Sequence, residues 1–369
     1  MYMEISDALI EEIVIGDSNI SDNFQNILNS YKMGNHVLAF EKRGSAKKLI
    51  GYYKGQRELE NIIYNIYQNH QDNVSLKKIL KAYVRIKTSN TTFSKYADKN
   101  NVNIFEVPIN FFSDQLSRTS LVTENTEDGY FYKGIADRMK NDKMFGLSQN
   151  IVINCSNDAG GGSQTSTCFR NKAQIEKRVT FSICDSDKTD ISSPLGATAK
   201  NISKISKTID SNSICDFIIL NVREKENLLP PSYYCEHGNY KYLKGLNLLK
   251  TIENDKVLIE KIKYLKISDE SDDTLKFFEE NFKEQIQTTD YSVGKSGCSL
   301  ISKEFIYTES YLKSIQQNFK KNKEGLRHYE KQYASFFEKL PESLVEEYLR
   351  ITLELISWSC SFPKPRLSY

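Results

Sequence analysis

Between Thr119 and Val222 four short apolar runs alternate with longer polar stretches, and this alternation limits what the chain can fold into more than anything else in it. The runs lie at about 120–124, 150–155 ("NIVINC"), 178–184 ("RVTFSIC") and 216–222 ("DFIILNV"). Strands separated by helix-length gaps predict an α/β domain on a parallel sheet, because parallel neighbours need a crossover that is usually a helix. Two of the runs lead straight into acids. Leu121 and Val122 lead to Glu124 and Asp128, with Tyr130, Phe131 and Tyr132 at the start of the next helix, and the third run leads to Asp185 and Asp187. The carboxyl ends of parallel strands are where ligands collect. The fourth run ends in "NVREKENLLPP", where Glu224 and Glu226 would point to one side of the sheet if the strand continued, and Pro230 and Pro231 stop it.

The flanks read differently. Residues 1–117 form a mixed N-terminal α/β region whose clearest helix is "QRELENIIYNIYQNH", with Leu59, Ile62, Ile63 and Ile66 at helical spacing. Glu41 ends an apolar strand before Lys42, Arg43, Lys47, Lys48, Lys54 and Arg57, the best basic patch in the chain. Such a patch is either an ordinary solvated face or a phosphate-contacting one. "IKTSNTTFSKYADKNN" and "INFFSDQLSRT" read as loops, the second closing the region near residue 117. Residues 118–236 hold the parallel domain. Residues 237–369 read as mainly helical, with Pro341 at a helix start and Leu344, Leu349, Leu353 and Ile356 as a core stripe. Pro194 also marks a helix start.

Composition excludes some classes. The 369 residues carry a net charge of +2, so any basic surface must be local. No apolar run reaches membrane-spanning length, and "MYMEISDALIEEI" lacks the basic and apolar regions of a signal peptide, which predicts a cytoplasmic protein with no membrane association. Seven cysteines without a paired CxxC framework fit free thiols in a reducing compartment. Cys184 reads as a small buried strand residue. Cys235 and His237 have no second pair at zinc spacing, and the histidines assemble no Ser/His/Asp set. "SNDAGGGSQTS" is a glycine-rich turn that lacks the Gly-Lys-Ser/Thr ending of a phosphate-binding loop.

Three acidic strand ends on one sheet would converge, and carboxylate oxygens suit a divalent cation such as Mg²⁺ or Mn²⁺. "VTENTEDGYFY" resembles the first motif of Toprim domains, "CDSDK" their Asp-x-Asp motif, and "NVREKEN" the segment after the fourth strand in the overcoming-lysogenisation-defect nucleases and related phage-defence effectors. The resemblance covers roughly residues 118–232, and Asn125 stands where the family has a glycine. It implies a Toprim-like parallel sheet flanked by helices, and hydrolysis of phosphodiester bonds in DNA or RNA with Mg²⁺ or Mn²⁺. Glu124, Asp128, Asp185 and Asp187 would be metal ligands or proton acceptors, with Glu226 a further candidate and Glu224 its neighbour. Glu124 would act as general base, and Lys188, Lys241 or Lys244 would stabilise phosphate charge. It also implies an antiphage effector and, if ATP gates activity, a separately encoded ABC-type ATPase partner, while the apolar stripes of the helices in 237–369 leave a homo-oligomer open. A primase- or topoisomerase-type Toprim enzyme and a catalytically silent Toprim-like module regulating a partner ATPase are the alternatives. Retention of the four core acids argues against the silent module.

Overall fold

The structure is a computed structural model that describes residues 1–16, 18–113, 116–141, 151–230, 253, 258–264 and 341–363. Cys235, His237, Lys241, Lys244 and the helices expected within 272–340 lie outside the described residues.

The first sheet contains β1 (Tyr2–Ile5), β2 (Val37–Phe40), β3 (Ala82–Lys87), β4 (Ser94–Ala97) and β5 (Asn103–Pro108) in the order β2-β1-β3-β5-β4. All its pairings are parallel except the antiparallel β4–β5. Five helices accompany it: α1 (Asp7–Ile15), α2 (Ser18–Lys32), α3 (Arg43–Tyr52), α4 (Arg57–Gln68) and α5 (His70–Leu76). Helix α4 buries Ile62, Ile63 and Ile66 as the spacing predicts, with Leu59 packed beside them. Strand β4 replaces part of an expected loop. It is an edge strand with mostly exposed side chains, so it lacks the apolar alternation that marks a half-buried one.

The second sheet is wholly parallel, in the order β10-β9-β6-β8. Its strands are β6 (Thr119–Thr123), β8 (Cys155–Ala159), β9 (Thr180–Cys184) and β10 (Cys215–Ile219), and its helices are α6 (Thr126–Asn141), α7 (Thr165–Arg170) and α8 (Ala197–Ser206). The second of these strands is displaced from the expected 150–155. Val152–Ile153 forms a separate short strand, β7, antiparallel to β11 (Cys360–Ser361), while the polar "CSNDA" joins the sheet. At a sheet edge, half-exposed positions accept Ser, Asn and Asp. Helix α8 begins three residues after Pro194, with Gly196 as its N-cap.

A last helix, α9 (Glu342–Ser359), starts after Pro341 and packs against α6 and β3. Its deepest stripe is Leu344, Tyr348, Ile351, Leu355 and Trp358; of the expected residues, Leu344 and Ile356 are fully buried and Leu349 is partly so. Trp358 stacks on Phe181 of the second sheet at 5.4 Å and meets Phe105 of the first edge-on at 5.6 Å. One apolar core thus runs through both sheets. Among the described residues no helix is long and apolar enough to cross a membrane.

Candidate carboxylate site at a strand switch point

From β6 the chain crosses to β8 on one side, and from β9 it crosses to β10 on the other. The adjacent ends of β6 and β9 therefore flank a switch point, where open α/β sheets leave a crevice. Glu124 follows β6, Asp128 lies in the first turn of α6, and Asp185 follows β9. Glu226 comes from a 3₁₀ turn, Lys225–Leu228, beyond β10. Glu224 and Glu226 are not on a continuing strand: β10 stops at Ile219, and Glu224 caps that turn through a reciprocal pairing with Asn227.

The backbone around these acids is fixed by hydrogen bonds. In the glycine-rich turn, Gly160 N–H donates to Thr123 O and Gly161 N–H to Glu124 O, each at 2.8 Å, so those amides hold the first acid's backbone. A side chain at Gly160 would meet the Thr165 Cα at 2.2 Å. Asn125 takes its place without a positive φ, and its N–H donates to Asp128 Oδ2 at 3.0 Å, so the missing glycine leaves no strain. Asp187 does adopt a positive φ, 53°, and its N–H donates to Arg223 O at 2.8 Å. Ser186 Oγ donates to Val222 O at 2.6 Å, tying the loop after β9 to the segment after β10. Gly196 is the floor beneath Asp187: an added Cβ would lie 2.3 Å from that carboxylate's Oδ2.

Lys225 stands among the acids. Its Nζ lies 2.5 Å from Asp128 Oδ1 and 3.7 Å from Glu226 Oε1, with the side chain 16% exposed. Burial opposes its charge, but Glu226, Asp128 and Asp185 outweigh burial and hold the ammonium above its ordinary pKa. The carboxyl of Asp185 accepts from Tyr132 Oη at 3.4 Å and is pushed well above the usual range, first by burial and then by Glu226 and Asp128. Burial also raises Glu124, against a hydrogen bond from Thr198; Asp187 and Asp128 add to the rise. Asp187 itself is exposed. Lys188 donates to Ile191 O at 3.2 Å, within its own loop.

Asp128, Asp185, Glu226 and Glu124 therefore share one electrostatic neighbourhood, with Asp187 at its exposed side. By donor type the set suits a hard divalent cation. In its present spacing, however, among the described residues no three His, Cys, Asp or Glu side chains are gathered as a metal-holding group. Among the described residues, the cation paired with these acids is Lys225. Sequence reasoning missed Lys225, Tyr132 as a hydrogen-bond donor, Thr198 and Gly196. Only Lys225 carried a signal, a cation enclosed by two glutamates in "REKEN".

Fold and site together define an α/β protein with a mixed sheet, a parallel sheet flanked by helices, and a lysine-centred carboxylate cluster at a strand switch point. Compared with protein-family models, curated proteins and solved structures, the chain shows no match.

Proposed function

We propose that this chain is a Toprim-type nuclease that hydrolyses phosphodiester bonds of DNA or RNA with Mg²⁺ or Mn²⁺. The observation that carries the reading is the meeting of Asp128, Asp185 and Glu226, from three separate segments, around Lys225 at the switch point. A bound cation would be held by these acids with Glu124 and Asp187, and would supply an activated water and charge neutralisation. Glu124, its proton affinity raised by burial, is suited to accept a proton from the attacking water. Tyr132 orients Asp185. Lys225 supplies positive charge where a phosphate oxygen would gain negative charge.

The test is incubation with plasmid, single-stranded DNA and total tRNA, with Mn²⁺ or Mg²⁺, beside a Glu124→Gln/Asp185→Asn/Asp187→Asn variant. Metal-dependent cleavage by the wild type alone supports the reading; equal cleavage by the variant refutes it. The Lys225–Asp128 ion pair also favours a second reading, because the lysine already offsets one carboxylate charge where a metal would otherwise do so. That reading is a silent interaction module serving a partner ATPase. It predicts no calorimetric signal for Mn²⁺ and no cleavage.

A further inference from the structure

Helices α3 and α4 lie side by side, and the exposed cations along them divide into two groups. Lys42 pairs with Asp7 and Lys48 with Glu11. Arg43, Lys47, Lys54 and Arg57 have no acid partner among the described residues. The acids nearest in sequence are engaged elsewhere: Glu58 with Lys32, and Glu60 with the Gly55 N–H. Arg43 and Lys47 are one turn apart on α3, Lys54 follows in the turn, and Arg57 opens α4. Gly44 and Gly51 bring no side chain to α3, and an added Cβ at either would meet nothing within 4 Å.

Aromatic planes border these cations. The Arg43 guanidinium lies over the Tyr67 ring at 4.6 Å, and Tyr67 stacks with Tyr64 at 6.2 Å and 30° between planes. The outer ring of this ladder, Tyr64, is 47% exposed. Unpaired cations supply phosphate contacts without sequence preference, and an exposed aromatic ring offers a face to an unpaired base. A duplex keeps its bases stacked on one another and has no use for such a face, while a membrane surface offers charge but no base.

We propose that the α3–α4 face binds single-stranded nucleic acid, its phosphates along Arg43, Lys47, Lys54 and Arg57 and a base against Tyr64. The inference deepens the nuclease reading by giving the strand a binding surface apart from the carboxylates. Filter binding of a labelled 20-nucleotide oligodeoxythymidine to the full chain in EDTA tests it separately from cleavage. The wild-type plot of log K against log[salt] is expected to slope at about −3, four cations at about −0.7 each. Alanine at all four cations should flatten that slope and weaken binding at least tenfold, and Tyr64→Ala should weaken it about tenfold, with circular dichroism unchanged. Glu124→Gln/Asp185→Asn should bind at least as well as wild type. Unchanged affinity in the four-cation variant overturns the proposal. So does an unaffected Tyr64→Ala, or four-cation-dependent capture of phosphatidylserine vesicles without any oligonucleotide binding. Absent cleavage with these binding effects intact would sink the nuclease reading alone.

Discussion

Lys225 is the residue on which the charge balance of the site turns. Replacing it with Met takes from the nearly buried Asp128 the cation that it pairs with at 2.5 Å. Breaking a buried pair from one side costs about 3–5 kcal/mol, so Lys225→Met should lower the melting temperature in EDTA. A cation that binds the folded state alone restores stability by mass action. The gain on adding Mn²⁺ should therefore be larger in Lys225→Met than in wild type, as thermal melts would show; an equal gain would mean that lysine and metal do not compete. Gly196→Ala makes a different demand. Its own φ is ordinary, but the added methyl would lie 2.3 Å from both the Cβ and the Oδ2 of Asp187, so the left-handed turn that carries Asp187 has to shift as a whole. Stability should fall by about 1–3 kcal/mol in urea unfolding, the cost of overpacking that moves backbone, and cleavage should fall to the level of Asp187→Ala, with the double variant no less active than either. Glu124 and Asp185 were legible in the sequence because each directly follows an apolar run, and Asp128 and Asp187 because they stand a few residues further on. Gly196 was not, since its use is to leave room for a residue nine positions earlier, a constraint that only a folded loop creates.

At the scale of elements, α9 shows how a distant segment completes a sheet. Its buried Glu347 accepts from the Asn221 N–H at 2.9 Å and the Asn221 side chain at 2.8 Å, while Arg350 reaches Ile219 O at 2.8 Å. The end of β10, and with it the turn bearing Lys225 and Glu226, is thereby anchored by the far end of the chain. The same helix holds Glu354, whose carboxyl is pushed up to about 7, first by burial and then by Asp216, against Arg350 and Lys81. A carboxyl raised on folding binds its proton more tightly in the folded state. The folded protein thus loses stability as pH climbs from about 4.5, the unfolded value, to about 7, and the loss is complete above that. Glu354→Gln should therefore stabilise the protein by about 3 kcal/mol at pH 8 and leave it unchanged at pH 4, read from urea unfolding at both. The helix itself was legible from its apolar spacing, but its buried stripe was partly misjudged. Leu349 and Leu353 fit a helical period as well as Tyr348 and Ile351 do, and only the neighbouring sheets decide which side turns inward. For the same reason β8 was missed: a polar edge strand looks like a loop until its partner β6 is known.

For the whole molecule, the junction between the two sheets matters most. Lys95 of β4 bonds to Asp216 of β10 at 3.0 Å, Asn103 reaches the same carboxylate at 3.2 Å, and Trp358 fills the space between Phe105 and Phe181. With one core through both sheets, the described parts should unfold together. Trp358→Ala, which removes a large buried ring, should cost about 3–5 kcal/mol and separate the loss of the two sheets, detectable as two steps in hydrogen exchange. Trp358 is also the only tryptophan in the chain. Every photon of indole emission therefore originates at the one place where both sheets touch. The natural protein is a spectroscopic reporter of its own assembly: excitation at the red edge of the protein band reads that junction alone, with no label to attach and no second indole to subtract.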